Sequence, residues 1–130
     1  LAAVFAALTA IFAKVGLKDI NSDLATAIRT VVILAVAWGV AFFRGETRGM
    51  TMISKQGLVF LVLSGVATGL SWLFYFKALQ LGRVSQVAPV DKLSLALVII
   101  LSVAFLGEPL NWKMVLGALL IIGGTVVLIL

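Results

Sequence analysis

The sequence predicts an all-α integral membrane protein, with five transmembrane helices packed in a bundle that forms one domain over residues 1–130. Hydrophobic residues make up 63% of the chain and charged residues only 12%, whereas soluble domains have about 45–50% and about 25%. The apolar residues fall into five segments, each close to the ~20 residues that a helix needs to cross the hydrocarbon core. A small soluble domain could not bury five such segments.

Polar stretches bound the first three predicted helices. The first runs from about Leu1 to Leu17 and ends in KVGLKDINSD. The second covers roughly Asp23 to Phe43, and Ser22 or Asp23 is its expected N-cap because a short side-chain oxygen can accept from the free N–H groups of the first turn. The third covers about Gly57 to Leu79, after the polar stretch RGETRGMTMISKQ.

The last two predicted helices are separated by LGEPLN, where Gly107 and Pro109 do not continue a helix. The fourth follows the turn QLGRV with Ser85 as its expected cap. Pro89 would then lie in the first turn, where a missing N–H removes little; a mild bend is the alternative. The fifth runs from about Trp112 to Leu130, with Trp112 as an interfacial anchor.

The Lys and Arg residues do not fix an orientation in the membrane. Four lie on the side of the N-terminus, and four to six lie toward the other side, depending on whether Arg29 and Lys92 are counted. Such a weak bias fits a chain that inserts both ways round. Alternatively, residues preceding Leu1 supply the deciding charge. The net charge of +5 contains no dense basic run, so we read it as charge flanking a lipid bilayer rather than a nucleic-acid surface.

Charged residues also lie within the predicted helices, and an ionised side chain at depth costs at least about 2.5–3.5 kcal/mol. Such residues therefore face a bundle interior or a wet cavity. Lys14 and Lys77 are close enough to helix ends to extend their ammonium groups to the interface instead. Asp91 is too short for that and is the strongest candidate for a functional group, with structural pairing to a basic neighbour as the alternative.

Asp91 and Lys92 are adjacent, and adjacent residues of a helix point about 100° apart. We therefore expect them to pair poorly with each other, and Arg29 or Lys77 is the natural counter-ion for Asp91. The intramembrane set carries four positive charges and one negative charge. If these groups line a cavity, its field favours solutes with a carboxylate or phosphate over simple cations.

Aromatic and small residues add further candidates. Trp72 and Tyr75 share a helical face, and Trp72 is too deep for the interfacial belt, so it either lines a cavity or fills the core. Small residues permit close helix approach in lipid, within one chain or between two. The candidates for such packing or a dimer interface are Gly65, Gly69, Gly117, Gly123 and Gly124.

Several chemistries are excluded by composition. The chain has no cysteine and no histidine, so disulfides, thiolate chemistry, imidazole-ligated metals and histidine general bases are absent. No GxxxxGK[ST] motif is present, which argues against ATP-driven transport. We expect no cofactor, no metal and no enzymatic activity.

The sequence nevertheless resembles a known family. FYFKAL at the end of the third predicted helix, VAPV at the start of the fourth, FLGEPL and the glycine-bearing last helix are similar to the EamA-type domain of the drug/metabolite transporter superfamily. LTAIFAKVGLKDI and ATAIRTVVILA resemble its first two helices. Most members are similar to ten-helix proteins built from two inverted five-helix halves, and this chain resembles one half. The resemblance implies an antiparallel homodimer, or a related five-helix partner.

The last two predicted helices are also similar to those of small multidrug resistance proteins, which use a membrane-embedded glutamate in their first helix. Here the first helix carries only Lys14, so Asp91 is the one deep carboxylate that could substitute.

These observations together predict a secondary transporter of small metabolites or drugs in the cell membrane, working by alternating access. The predicted substrate pathway comprises Lys14, Arg29, Trp72, Tyr75, Asp91 and Lys92. The alternative is an accessory or assembly subunit of a membrane complex that does not itself transport.

Overall fold

The computed structural model describes residues 1–130 and is entirely helical. Its α-helices are α1 (Ala2–Gly16), α2 (Ser22–Phe43), α3 (Lys55–Leu81), α4 (Val84–Asp91), α5 (Leu93–Phe105) and α6 (Trp112–Ile129). A 3₁₀-helix, Glu46–Met52, connects α2 to α3. The all-α prediction is confirmed.

Four helical stretches are long and apolar enough to cross a membrane: Ser22–Phe43, Lys55–Leu81, Val84–Phe105 and Trp112–Ile129. The first predicted span is shorter. Helix α1 has 15 residues, which at 1.5 Å per residue is about 22 Å, less than the ~30 Å hydrocarbon thickness. The structure thus supports a multi-pass membrane protein with four spans of full length and one shorter apolar helix.

Two of the predicted helix caps were wrong. The cap of α2 is Asn21, whose side chain accepts a hydrogen bond from the N–H of Asp23 at 2.9 Å. Helix α4 begins at Val84 after Arg83, which makes no side-chain cap, so Ser85 lies inside the helix. Asn111 caps α6 by accepting from the N–H of Met114 at 3.0 Å.

The chain divides into two compact units. One comprises residues 15–80, with α2, the 3₁₀-helix and α3; the other comprises residues 1–14 and 81–130, with most of α1 and with α4, α5 and α6. In the second unit, α6 packs against both α4 and α5. Gly107, at φ +68°, ends α5, and the N–H of Glu108 turns back onto the carbonyl of Ser102. This left-handed conformation is one that glycine adopts without strain.

Most of the apolar surface is left uncovered by the chain itself. No residue is buried in the most apolar window of α3, and only 6% are buried in the corresponding windows of the other three spans. The exposed large side chains are typical of helices that face hydrocarbon. The hydroxyl groups of Thr26, Thr30, Thr68 and Thr125 each donate to the carbonyl four residues earlier, which satisfies them without water.

Candidate functional site

The fourth predicted span is not one continuous helix. Helix α4 ends at Asp91 and α5 begins at Leu93, with Lys92 between them. The N–H of Lys92 is shared between the carbonyls of Ala88, at 3.3 Å, and Pro89, at 3.0 Å. The shorter bond is the tighter i to i−3 type found where an α-helix ends. The helical hydrogen-bond pattern is therefore interrupted at Lys92, although this residue keeps right-handed helical backbone angles of φ −71° and ψ −10°.

Pro89 lies three residues before this interruption, inside α4. Because α4 begins at Val84, Pro89 lies in the second turn rather than the first. There it removes the N–H that would bond to the carbonyl of Ser85, and its ring crowds that carbonyl. The expected first-turn position was therefore wrong, although α4 continues past Pro89 to Asp91.

A hydrogen bond ties the interruption to α6. The hydroxyl of Thr125, which is 4% exposed, shares its one proton between the carbonyl of Ile121 at 2.8 Å and that of Pro89 at 3.3 Å. The carbonyl of Pro89 also accepts from the N–H of Lys92 at 3.0 Å. The contact with Thr125 therefore adds a link between α4 and α6 beside the interruption.

Asp91 and Lys92, at the interruption, form an ion pair of 3.5 Å between Oδ2 and Nζ. The expectation that they would pair poorly with each other did not allow for the length of the Lys92 side chain, since the backbone of Lys92 is right-handed helical. Lys92 closes α4, and its flexible four-carbon stem turns the ammonium back to its neighbour. Asp91 lies seven residues beyond Val84, about 10 Å from the start of α4. The pair remains accessible, with the side chain of Asp91 34% exposed and that of Lys92 55% exposed.

Arg29 forms a second cluster, in the unit of residues 15–80. It also lies seven residues inside its helix, about 10 Å from the start of α2. Its guanidinium carbon is 4.1 Å from the ring centroid of Phe76 and 5.8 Å from that of Trp72. Both distances are within the range of a cation–π contact. Its Nη1 atom is buried and has no hydrogen-bond partner.

Trp72 and Phe76 are four residues apart on α3, so that they stack on one helical face toward Arg29. Trp72 is half-buried and Phe76 is 2% exposed. Phe76 is a residue that sequence reasoning missed, although the i, i+4 spacing to Trp72 was the available signal. Half-buried Tyr75 packs beside it, with ring centroids 5.4 Å apart and a tilt of 59°.

Two further polar side chains hold helix ends. The ammonium of Lys14 donates to the carbonyl of Gly82 at 2.7 Å. Gln80, which the sequence gave no reason to select, donates from Nε2 to the carbonyls of Leu17 at 3.0 Å and Ile20 at 2.7 Å. These carbonyls lie at the ends of helices, where intrahelical donors run out.

The structure thus brings the candidate pathway residues together in two groups. Asp91 lies with Lys92 at the interrupted span, and Arg29 lies with Trp72 beside Phe76. Lys14 contacts the segment that follows α3, within the unit that contains Asp91. No group of three or more acidic side chains is placed to hold a metal ion.

The candidate packing glycines have open surroundings. An added Cβ at Gly65, Gly69, Gly117, Gly123 or Gly124 would meet no atom within 4 Å. These glycines therefore do not provide close helix contacts within the chain, and their faces are available to another molecule.

A groove of about 460 Å³ lies between α5 and α6 and has a purely aliphatic lining. Its walls include Ala96, Ile100, Val103, Leu110 and Leu119. Because it offers no hydrogen-bonding side chain, it does not suit a polar solute.

Comparison with known proteins decides what kind of transmembrane chain carries these groups. The model of the EamA-like transporter family matches residues 1–130. The chain belongs to the EamA-like transporter family. It is also 52% identical, over 128 residues, to a Sinorhizobium sp. protein described as an uncharacterized transporter in the cobO 3′ region; the match covers 98% of this chain and 91% of that protein. No solved structure matches the chain. The resemblance noted in the sequence is therefore confirmed, and the interrupted span and the Arg29 cluster are features of an EamA-like chain.

Proposed function

We propose that the protein is a secondary transporter that moves small organic solutes across the cell membrane by alternating access. The observation that carries this proposal is the interrupted span, in which a transmembrane helix of an EamA-like chain breaks beside an ion pair. Discontinuous helices are the usual place of substrate and coupling-ion sites in secondary transporters.

Asp91 acts in this proposal as the switch. Its carboxylate is held by a single pair with Lys92, and both side chains remain accessible. Protonation of Asp91, or displacement of Lys92 by a substrate charge, releases the pair. The pair lies at the junction of α4 and α5, and its release is the proposed signal for movement of these two helices. Arg29, Trp72, Tyr75 and Lys14 complete the proposed pathway.

An antiparallel homodimer is the proposed assembly. An EamA-like chain of this length resembles one half of a ten-helix inverted repeat, and alternating access requires two halves of opposite orientation. The near-even distribution of Lys and Arg permits insertion both ways round. The open glycine faces of α3 and α6 offer surfaces on which a second copy can pack closely.

Flux into proteoliposomes tests the transport function. Purified protein is reconstituted and offered a panel of labelled small carboxylates, phosphates, amines and neutral amides, with protein-free liposomes as control. We expect at least one class to accumulate faster with the protein. Fluxes equal to those of the protein-free liposomes for every class would leave the accessory-subunit function as the better explanation.

Reporter fusions test the assembly. A reporter active only in the cytoplasm and one active only outside it are each fused after Leu130. Signal from both fusions is expected for a chain that inserts both ways round, and signal from one alone would replace the homodimer by a pair with a related five-helix partner.

A further inference from the structure

We propose that Arg29 is the subsite for the carboxylate of an organic monocarboxylate substrate, with the ring of Trp72 contacting the substrate's apolar body. The inference rests on the proposed transport function and specifies its substrate class. It starts from the unusual state of Arg29, which is a charged side chain inside a membrane span. The Nη1 nitrogen of Arg29 is buried and has no hydrogen-bond acceptor.

An unsatisfied buried donor is a cost that native structures seldom carry without reason. Arginine in a membrane span usually avoids it by extending toward the interface. Arg29 instead lies against the rings of Phe76 and Trp72, at 4.1 and 5.8 Å. The rings attract the charge but supply no hydrogen-bond acceptor. The guanidinium is thus held in position with donor capacity unused.

Part of the cluster is accessible to a ligand. Phe76 is 2% exposed and supports the guanidinium from within. Arg29 and Trp72 are only half-buried, so an approaching molecule meets both. A planar carboxylate matches the fork of a guanidinium and can take two of its donors. For Nη1 to share in the bond the guanidinium must rotate, because this atom is buried in the free protein.

Charge balance favours a monocarboxylate over a phosphate. Arg29 is the cation of this cluster, and one guanidinium neutralises one negative charge. A phosphate dianion would leave excess charge where solvation is poor, and a cationic substrate would add to the existing charge. The indole face of Trp72 offers apolar contact for the remainder of the molecule.

Binding is measured through Trp72 itself. The chain has three tryptophans, so Trp38→Phe with Trp112→Phe leaves Trp72 as the only one, beside Arg29. The probes are cyclohexanecarboxylate, its neutral amide and inorganic phosphate, titrated into this protein in lipid nanodiscs while Trp72 fluorescence is followed. We expect a saturable change with the carboxylate, and at least a tenfold weaker response with the amide and with phosphate.

Substitution of Arg29 assigns the response to its guanidinium. Arg29→Gln is expected to weaken carboxylate binding tenfold or more, which is the scale of a hydrogen bond to a charged group. Arg29→Lys, which keeps the charge but not the fork, should weaken it less. If Arg29→Gln does not fold by circular dichroism, Arg29→Lys and the comparison of probes on the unsubstituted arginine still decide the matter.

Any one of four results would overturn the subsite. These are an equal response to the carboxylate and its amide, stronger binding of phosphate than of the carboxylate, no response to any probe, and unchanged carboxylate affinity in Arg29→Gln. Its failure is separable from failure of the transport function. Carboxylate binding at Trp72 without flux in proteoliposomes would support the subsite and contradict the transport function. Flux that is unchanged by Arg29→Gln would support the transport function and contradict the subsite.

Discussion

Replacing Pro89 by alanine should make the protein more stable and less active. Pro89 lies inside α4 and deprives the carbonyl of Ser85 of its N–H partner. The lower bound of the gain is one recovered hydrogen bond, about 1 kcal/mol. The upper bound is the full penalty of an interior proline relative to alanine, about 3 kcal/mol. For a chain of this size, each kcal/mol raises the unfolding midpoint by about 4 °C.

A loss of activity is expected from the same change. The bond recovered at the carbonyl of Ser85 stiffens α4, which carries Asp91, and the proposed switch needs this helix to move. We expect a lower flux for whichever solute the native protein transports. Unfolding is followed by circular dichroism in detergent and flux in proteoliposomes.

Pro109→Ala is the matched control, because the chain has two prolines and Pro109 lies outside any helix, between α5 and α6. Pro109→Ala should shift the unfolding midpoint by no more than about 2 °C. It should leave the flux unchanged. A Pro89→Ala protein of unchanged or lower stability would refute the assignment of Pro89 as a destabilising proline in the interior of α4. A stabilised protein with undiminished flux would refute its role in transport.

Two further predictions concern the ends and faces of helices. Gln80→Leu removes the two hydrogen bonds to loop carbonyls at 3.0 and 2.7 Å and should lower the free energy of unfolding, measured by chemical denaturation, by about 1–3 kcal/mol. The control Gln56→Leu, at an exposed position at the start of α3, should change this free energy little. Equal effects of the two substitutions would count against a stabilising role of the Gln80 bonds. Gly69→Leu should reduce the amount of dimer cross-linked in lipid and leave the helical content intact, because the surroundings of Gly69 within the chain are open. Gly39→Leu, at an equally open position on α2, should leave the amount of dimer unchanged. An undiminished dimer in Gly69→Leu would rule out an interface on α3.

Sequence reasoning succeeded where a signal was long or repeated. The apolar segments predicted the four long helical stretches and most of their bounds, because a span needs about 20 apolar residues and polar stretches separate them. The sequence also predicted Arg29, Trp72, Asp91 and Lys92 as residues of the substrate pathway, which stays a prediction. The family resemblance, which rests on motifs such as FLGEPL, was confirmed over the whole chain.

The errors at helix starts have a common physical origin, which is sensitivity to a shift of one or two residues. Ser85 was taken as the cap of α4, whereas the cap position is Arg83, two residues earlier. That shift moves Pro89 from the first turn to the second. The ion pair of Asp91 and Lys92 depends on the flexible side chain of Lys92, which helical backbone geometry alone does not place. Phe76 and Gln80 become visible only through contacts between segments distant in the sequence.

The most direct test of the account is the flux of the native protein compared with that of Asp91→Asn, in proteoliposomes that carry a pH gradient. Asn keeps the size of the side chain but cannot ionise, and an accessible ion pair contributes at most about 1 kcal/mol, so the variant should fold normally. Asp19→Asn, in the exposed loop after α1, is the control. We expect Asp91→Asn to lose solute accumulation and Asp19→Asn to retain it. Accumulation that persists in Asp91→Asn would contradict the assignment of the interrupted span as the centre of transport.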